Sequence, residues 1–489
     1  LARVFSVAGT AALTCVALGL TLLAADGDTH VYQLGNWPGP FGIVLVLDRL
    51  SAMMVLLTSV LALVVLIYAI GSRWDRRGRH FHALFQFQLM GVCGAFLTGD
   101  AFNLFVFFEV LLIASYGLMI HGGGAMRLRA GLQYVVMNLA GSALFLFALG
   151  TLYAVTGTLN IADLAVQARQ IPLEESALLR VAAMLLMIVF AIKAALFPMQ
   201  FWLPGAYAEA PAPVAALFAI MTKVGAYAIL RFYTIIFGPD AASVGTLAGD
   251  WLMPAAIITL AVGAVGVLGA RRLSPLLAFS VLSSMGTLMI AIALFTEQAA
   301  AAALYYMIHS TFAAAALFLI GDQIVRRRGA ARDALTVAPD IAQTGLLACL
   351  FFAGAIAMAG MPPLSGFLGK LLVMDAARDA SEMVVIWGAI LVSSLVLVVG
   401  FGRAGSVLFW KPASLAPAEA RPDAGAPDAA PGAEPWAVAA IFAGLFALVA
   451  LSVLAGPAMT YVEATAAQLF DPSGYVSAVL GRGLEGVTQ

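Results

Sequence analysis

Apolar stretches separated by short polar segments run the length of the chain, and a stretch of about 20 apolar residues is long enough to cross a bilayer as a helix. On that basis the pattern predicts thirteen spans, at about 5–24, 49–71, 83–99, 101–121, 130–156, 178–204, 213–236, 251–270, 274–295, 298–321, 345–374, 382–404 and 436–458. The fold class is an all-α polytopic membrane protein. Three connections are longer than the rest. Residues 26–48 contain NWPGPFG and an alternating run up to Asp48, which predicts an outer hairpin or loop packed on the helices. Residues 322–344, with Arg326 to Arg328, predict a short surface helix on the inner side. Residues 412–435, rich in Ala, Pro, Asp and Glu, predict a flexible cytoplasmic linker. The tail after Tyr461 is weakly amphipathic and is expected to lie along the outer interface.

Composition agrees: 63% of the 489 residues are hydrophobic and 10% charged, against roughly 45–50% and about 25% in soluble domains. A net charge of −1 speaks against nucleic acid or another polyanion as partner. Cys15, Cys93 and Cys349 lack CxxC spacing and metal-ligating neighbours, so three buried thiols are expected, with no metal or redox cofactor motif. Residues 1–25 begin at Leu1 and lack the cationic start and cleavage pattern of a signal peptide, so upstream residues are expected to be missing. The Ala, Gly and Arg bias points to a bacterial gene.

Arginine placement tests the span count, because cytoplasmic loops are enriched in Lys and Arg. With Arg3 inside and sides alternating, sixteen of the 25 basic residues fall inside, including Arg421; Arg49, Arg169, Arg180, Arg231, Arg378 and Arg482 fall outside; three lysines are embedded. A missed or added span in mid-chain would scramble this asymmetry. The C-terminus is then expected outside.

Two spans carry interruptions. FAIKAALFPMQFWLPGAYAEAPAP holds Pro198 and Pro204, and AGMPPLSGFLGK holds Pro362 and Pro363. Proline removes an intrahelical hydrogen bond and clashes with the preceding turn, and backbone freed at membrane depth must be buried in protein or line a hydrated cavity. Each interruption falls in the fourth span of a set of five, at 83–236 and 251–404. Five is odd, so the second set starts on the opposite face, as in transporters built from inverted repeats. The chain divides accordingly: 1–82, N-terminal helices and outer loop; 83–236 and 251–404, two five-helix sets, each with one broken span; 405–435, linker; 436–489, C-terminal helix and tail.

Five ionisable residues lie inside the spans: Glu109, Lys193, Lys223, His309 and Lys370. A lysine at the bilayer centre costs roughly 2.5–3.5 kcal/mol on insertion scales, so such groups imply interior partners, water or function. Each also has a plainer reading. Glu109 and Lys193 could staple two helices, or form an ion pair whose separation frees the lysine to lose a proton. Lys223 and Lys370 could snorkel to the interface, and His309 could be a packed histidine or a relay. Ser283, Ser284, Tyr305 and Thr311 could supply hydroxyls or hold waters, or serve as packing glue. No carboxylate cluster reads as a cation site.

FNLFVFFEVLLIASYGLMIHGG, FPMQFWLPGAYAEAPAPVAALFAIMTKVGAYAILRF and MAGMPPLSGFLGK resemble the MrpD-type subunits of the Mrp multisubunit Na⁺/H⁺ antiporters, a family akin to the antiporter-like subunits of respiratory complex I. The resemblance implies fourteen core helices, of which the first would be absent here, and assembly in the membrane with other Mrp subunits. It assigns Glu109 to the family's key glutamate, Lys193 and Lys370 to the charged residues of the two broken helices, and Lys223 to the lysine between. His309 carries over less directly, since the family varies there. The expected function is proton translocation coupled to movement of Na⁺ or a similar cation. The rivals are a pumping subunit of complex I or a membrane-bound hydrogenase, and a structural subunit.

Overall fold

The computed structural model describes residues 1–238, 247–411 and 434–481, and it is helical apart from one hairpin. In chain order the elements are α1 (Ala2–Ala24), β1 (His30–Gln33), β2 (Val44–Leu47), α2 (Arg49–Gly71), α3 (Phe81–Leu97), α4 (Ala101–Met119), α5 (Ala125–Thr156), α6 (Ile161–Gln170), α7 (Ala177–Lys193), α8 (Trp202–Glu209), α9 (Ala212–Phe218) and α10 (Met221–Ile235). There follow α11 (Leu247–Gly269), α12 (Leu273–Ala293), α13 (Glu297–Arg327), α14 (Thr344–Ala359), α15 (Ser365–Ala376), α16 (Met383–Gly405), α17 (Pro435–Val453), α18 (Ala455–Phe470) and α19 (Ser473–Leu480). Among the described residues ten helical runs, counting α9 and α10 as one, are long and apolar enough to cross a membrane. Helices α3 and α14 are shorter apolar helices.

Side chains that satisfy the free N–H groups of the first turn fix several helix starts. Asp48 and Ser51 form a reciprocal capping box on α2. Asp100 accepts from the Asn103 N–H at 2.7 Å to start α4, and Thr296 accepts from the Ala299 N–H at 3.2 Å to start α13. The hairpin pairs β1 and β2 antiparallel, His30 opposite Leu47 and Gln33 opposite Val44. The Gly99 N–H donates to the Val44 carbonyl at 2.9 Å and ties the hairpin to the α3–α4 turn.

Burial is unevenly shared. The α9–α10 run, α12 and α13 are almost wholly buried, whereas α1, α16 and α17 keep most of their apolar surface outward, as lipid-facing helices do. Helix α13 is the hub, packed on α12, α15, α18, α9, α14 and α17.

Several expectations are corrected. The amphipathic helix α6, capped by Asn160, was not anticipated between α5 and α7. In place of a separate surface helix at 322–344, α13 itself runs on through Arg327 and ends in a single 3₁₀ turn at Gly329–Ala331. The tail folds as two helices, α18 and α19: α18 packs on α13, α2 and α10, and the Tyr461 hydroxyl donates to the Arg49 carbonyl at 3.0 Å. Cys93 is buried, but Cys15 and Cys349 are exposed, because an apolar stretch does not reveal which helix face looks outward. Residues 406–410 continue α16 as a π turn, so the expected linker starts later. Most of the linker, and Arg421 and Arg482, lie outside the described residues.

Candidate functional site: buried charges at helix interruptions

Both broken helices end in the same backbone motif. At the first, α7 stops at Lys193 and Ala195 is left-handed, with φ 57°. The Ala195 N–H donates to the Ile192 carbonyl at 3.1 Å and the Leu196 N–H to the Ala191 carbonyl at 2.9 Å. At the second, α14 stops at Ala359 and Gly360 is left-handed, with φ 78°. The Gly360 N–H donates to the Ala357 carbonyl at 3.1 Å and the Met361 N–H to the Ile356 carbonyl at 3.0 Å. Each is a Schellman motif, in which a left-handed residue lets the chain recapture carbonyls left open at a helix C-terminus. The helices therefore stop ahead of Pro198, Pro362 and Pro363. Pro204 breaks nothing; it sits in the first turn of α8, where a missing N–H is tolerated. The freed Phe197 N–H donates to Thr259 Oγ1 of α11 at 2.8 Å.

Glu109 on α4 and Lys193 on α7 are within electrostatic reach of each other but form no salt bridge. Each is held by α5. Ser142 donates to the Glu109 carboxylate, while Lys193 Nζ lies 3.4 Å from Asn138 Oδ1 and 3.5 Å from the Asn138 carbonyl oxygen. The Lys193 ammonium also sits 5.7 Å above the Phe108 ring. Glu109 is half-buried, and Lys193 is buried.

Lys223 does not lie mid-helix as expected. The helix is interrupted at Ala219–Ile220, where the Ala219, Ile220 and Lys223 N–H groups all reach back three residues instead of four. No Pro or Gly at that point announces the interruption. Lys223 follows it on the first turn of α10, is 0% exposed, and its Nζ has no hydrogen-bond partner among the described residues. It does not snorkel.

His309 on α13 and Lys370 on α15 flank the second break. His309 Nδ1 is 2.9 Å from Ser365 Oγ, at the start of α15. Lys370 Nζ donates to the Ala359 carbonyl at 2.9 Å and to Ser394 Oγ of α16 at 2.8 Å. It is buried, so it does not snorkel either. Lys370 thus occupies the C-terminal end of α14, and Lys193 is itself the last residue of α7; helix C-termini carry partial negative charge that favours cations. His309 is within electrostatic reach of both Lys370 and Lys223. Direct hydrogen bonds do not join the five groups to one another.

The hydroxyl expectations change too. The ring of Tyr306, not Tyr305, lies 5.7 Å from that of His309, tilted by 44°, and its hydroxyl receives a hydrogen bond from Ser284 at 3.2 Å. The Tyr305 hydroxyl donates to the Leu451 carbonyl, and Thr311 to the Met307 carbonyl one turn back. Sequence reasoning did not single out Asn138, Ser142, Ser365 or Ser394. For the α5 pair a signal existed, since two polar residues four apart in an apolar helix share a face. It also placed Arg231 among outer loop charges, whereas Arg231 is buried on α10 and paired with Asp48 through both guanidinium nitrogens. Among the described residues no group of three or more His, Cys, Asp or Glu could hold a metal ion.

The family model described as NADH:quinone oxidoreductase/Mrp antiporter, TM matches residues 98–398, which contain all five ionisable groups and both breaks. The chain belongs to this antiporter family. It is 39% identical to the D-type subunit of a probable K⁺/H⁺ antiporter from Rhizobium meliloti, over 97% of this chain and 91% of the relative. It is 36% identical to the D-type subunit of the Na⁺/H⁺ antiporter from Alkalihalophilus pseudofirmus, over 98% and 94%. Its fold matches a chain of the Mrp complex from Dietzia sp. DQ12-45-1b with a TM-score of 0.86 and 29% identity, covering 98% of this chain and 94% of that one.

Proposed function

We propose that the chain is a proton-translocating subunit of a multisubunit monovalent cation/proton antiporter in a bacterial cytoplasmic membrane, assembled with other Mrp-type subunits. The observation that carries it is the placement of Lys193, Lys223 and Lys370, each buried and each at or beside a helix interruption, in a chain at least 36% identical to two antiporter subunits of the D type. Proton movement runs along Glu109, Lys193, Lys223, His309 and Lys370. Between groups not joined directly, bridging water completes the route. The cation, Na⁺ or K⁺, is the one named for the relatives.

Thirteen crossings, with α3, α7–α8 and α14–α15 added to the ten long runs, form two inverted five-helix sets at 83–236 and 251–404, with the C-terminus outside. The matched Schellman breaks support this, since Ala195 and Pro198 take the places of Gly360 and Pro363. So does helix pairing. Gly91 packs on Leu111 and Gly94 on Phe107 between α3 and α4, as Gly263 packs on Ser283 and Gly266 on Phe279 between α11 and α12. Carried along these registers, Glu109 matches Val281, so the second set has no counterpart of the glutamate. The halves share a backbone plan and divide the chemistry unequally.

In everted membrane vesicles, Glu109→Ala and Lys193→Ala are expected to abolish antiport while the complex still assembles. Wild-type antiport from an assembled Glu109→Ala complex would overturn the reading. Normal transport after removal of all three embedded lysines would leave a structural role in its place.

A further inference from the structure

Two side chains of α5 hold the glutamate and the first lysine. Asn138 and Ser142 are one turn apart, both buried, and share the face turned to α4 and α7. Asn138 donates its Nδ2 to the Tyr134 carbonyl at 2.9 Å, which leaves Oδ1 aimed at Lys193 as an acceptor. Ser142 donates its hydroxyl to Glu109. The α5 backbone comes close at this level: a Cβ added to Gly141 would lie 3.8 Å from Lys193 Nζ. Both contacts of the ammonium are long, at 3.4 and 3.5 Å, so Lys193 is held loosely.

We propose that Asn138 and Ser142 are positioning residues for the proton step: they hold Lys193 and Glu109 on separate neutral partners and prevent the two from closing into a salt bridge. This rests on the proton route proposed above. Burial among neutral acceptors favours an uncharged amine, whereas a carboxylate at contact distance favours the ammonium. The latched state is therefore the one from which Lys193 releases its proton, and a closed pair is the one in which it keeps it.

Other titratable groups do not replace this control. Helix α4 adds the Tyr116 phenol, and α5 adds Tyr134, with Arg127 and Arg129 at its inner end. Helix α3 brings Cys93 and His82, the latter beside Asp75, and α7 brings Arg180 near its start. Helix α8 ends in Glu209, which pairs with Arg272. Helix α10 carries Lys223, Tyr227, Tyr233 and Arg231, the last neutralised by Asp48. Glu109 is the carboxylate within electrostatic reach of Lys193.

The test measures antiport against pH in everted vesicles containing the full complex, with assembly followed by native gel. Ser142→Ala frees the carboxylate to reach Lys193, and the activity profile is expected to move to higher pH by about 1–3 units, the usual effect of an opposite charge at contact. Ser142→Thr keeps the hydroxyl and is expected to restore the original profile. Asn138→Leu, which removes the lysine's acceptor, gives the same upward shift and serves if Ser142→Ala does not assemble. A Ser142→Ala or Asn138→Leu profile superimposable on wild type, with Glu109→Ala inactive, overturns the latch and leaves the route standing. Wild-type antiport from Glu109→Ala removes the route itself.

Discussion

Lys223 is the most exposed to question of the buried groups, because its amine is fully enclosed and has no hydrogen-bond partner among the described residues. A polar group buried without a partner costs free energy on the order of 1–3 kcal/mol, more when charged. Lys223→Met removes that cost while keeping volume. The complex is expected to resist heat better and to lose antiport; retained antiport would show Lys223 to be dispensable. Such opposed effects mark residues kept for function against stability. At this scale the sequence was readable where chemistry was rare: three lysines in apolar stretches declare themselves. It was not readable where chemistry was common. Asn138, Ser142, Ser365 and Ser394 are ordinary polar residues; the spacing of the first two puts them on one helix face, but only packing shows which ionisable group each meets. The Glu109–Lys193 pair illustrates the limit, since residue types suggest an ion pair, whereas each group hydrogen-bonds a neutral residue of α5.

At the scale of elements, the interruptions were located by their prolines but are made by the residues ahead of them. Ala195 and Gly360 carry the left-handed turn, and the prolines follow in chain already released from the helix. Two substitutions separate these roles. Ala195→Gly relieves a left-handed residue with a Cβ, which costs roughly 1–2 kcal/mol, and is expected to raise stability with antiport intact. Gly360→Ala imposes that strain and brings a Cβ within 2.7 Å of the Lys370 Cδ, so it is expected to lower both stability and transport, read by thermal unfolding and vesicle assays. The interruption ahead of Lys223 left no trace in the sequence, because it rests on carbonyls that bond three residues on and not on Pro or Gly. Helix α6 was hidden for the opposite reason: it is short and amphipathic, and a search for long apolar runs passes over it.

At the scale of the whole molecule, a buried clamp joins distant parts of the chain. Asp48 caps α2 next to the hairpin, pairs with Arg231 of α10, and Arg231 lies 5.5 Å from the ring of Tyr475 on α19. Burial pushes the Asp48 carboxyl up, but the Arg231 charge and hydrogen bonds, with those of Ser51, outweigh it and hold the group below its ordinary value. A carboxylate lowered in this way stabilises the fold above its unfolded pKa of about 3.9 and loses that contribution as pH falls through the lowered value. Asp48→Asn strands a buried guanidinium and is expected to cost on the order of 3–5 kcal/mol, seen as earlier thermal unfolding at neutral pH and a smaller difference from wild type in acid.

The position of the lysines at the C-terminal ends of α7 and α14 has an electrical consequence. Each half-helix ends inside the protein with about half an elementary negative charge; Lys370 donates to the last carbonyl of α14, and Lys193 is the last residue of α7. On the proposed route, a lysine that gives up its proton bares the pole, so the place just vacated repels anions and draws in the next cation. Deprotonation on that route would leave behind a local voltage of the sign that reloads the site, so that one event would prime its successor.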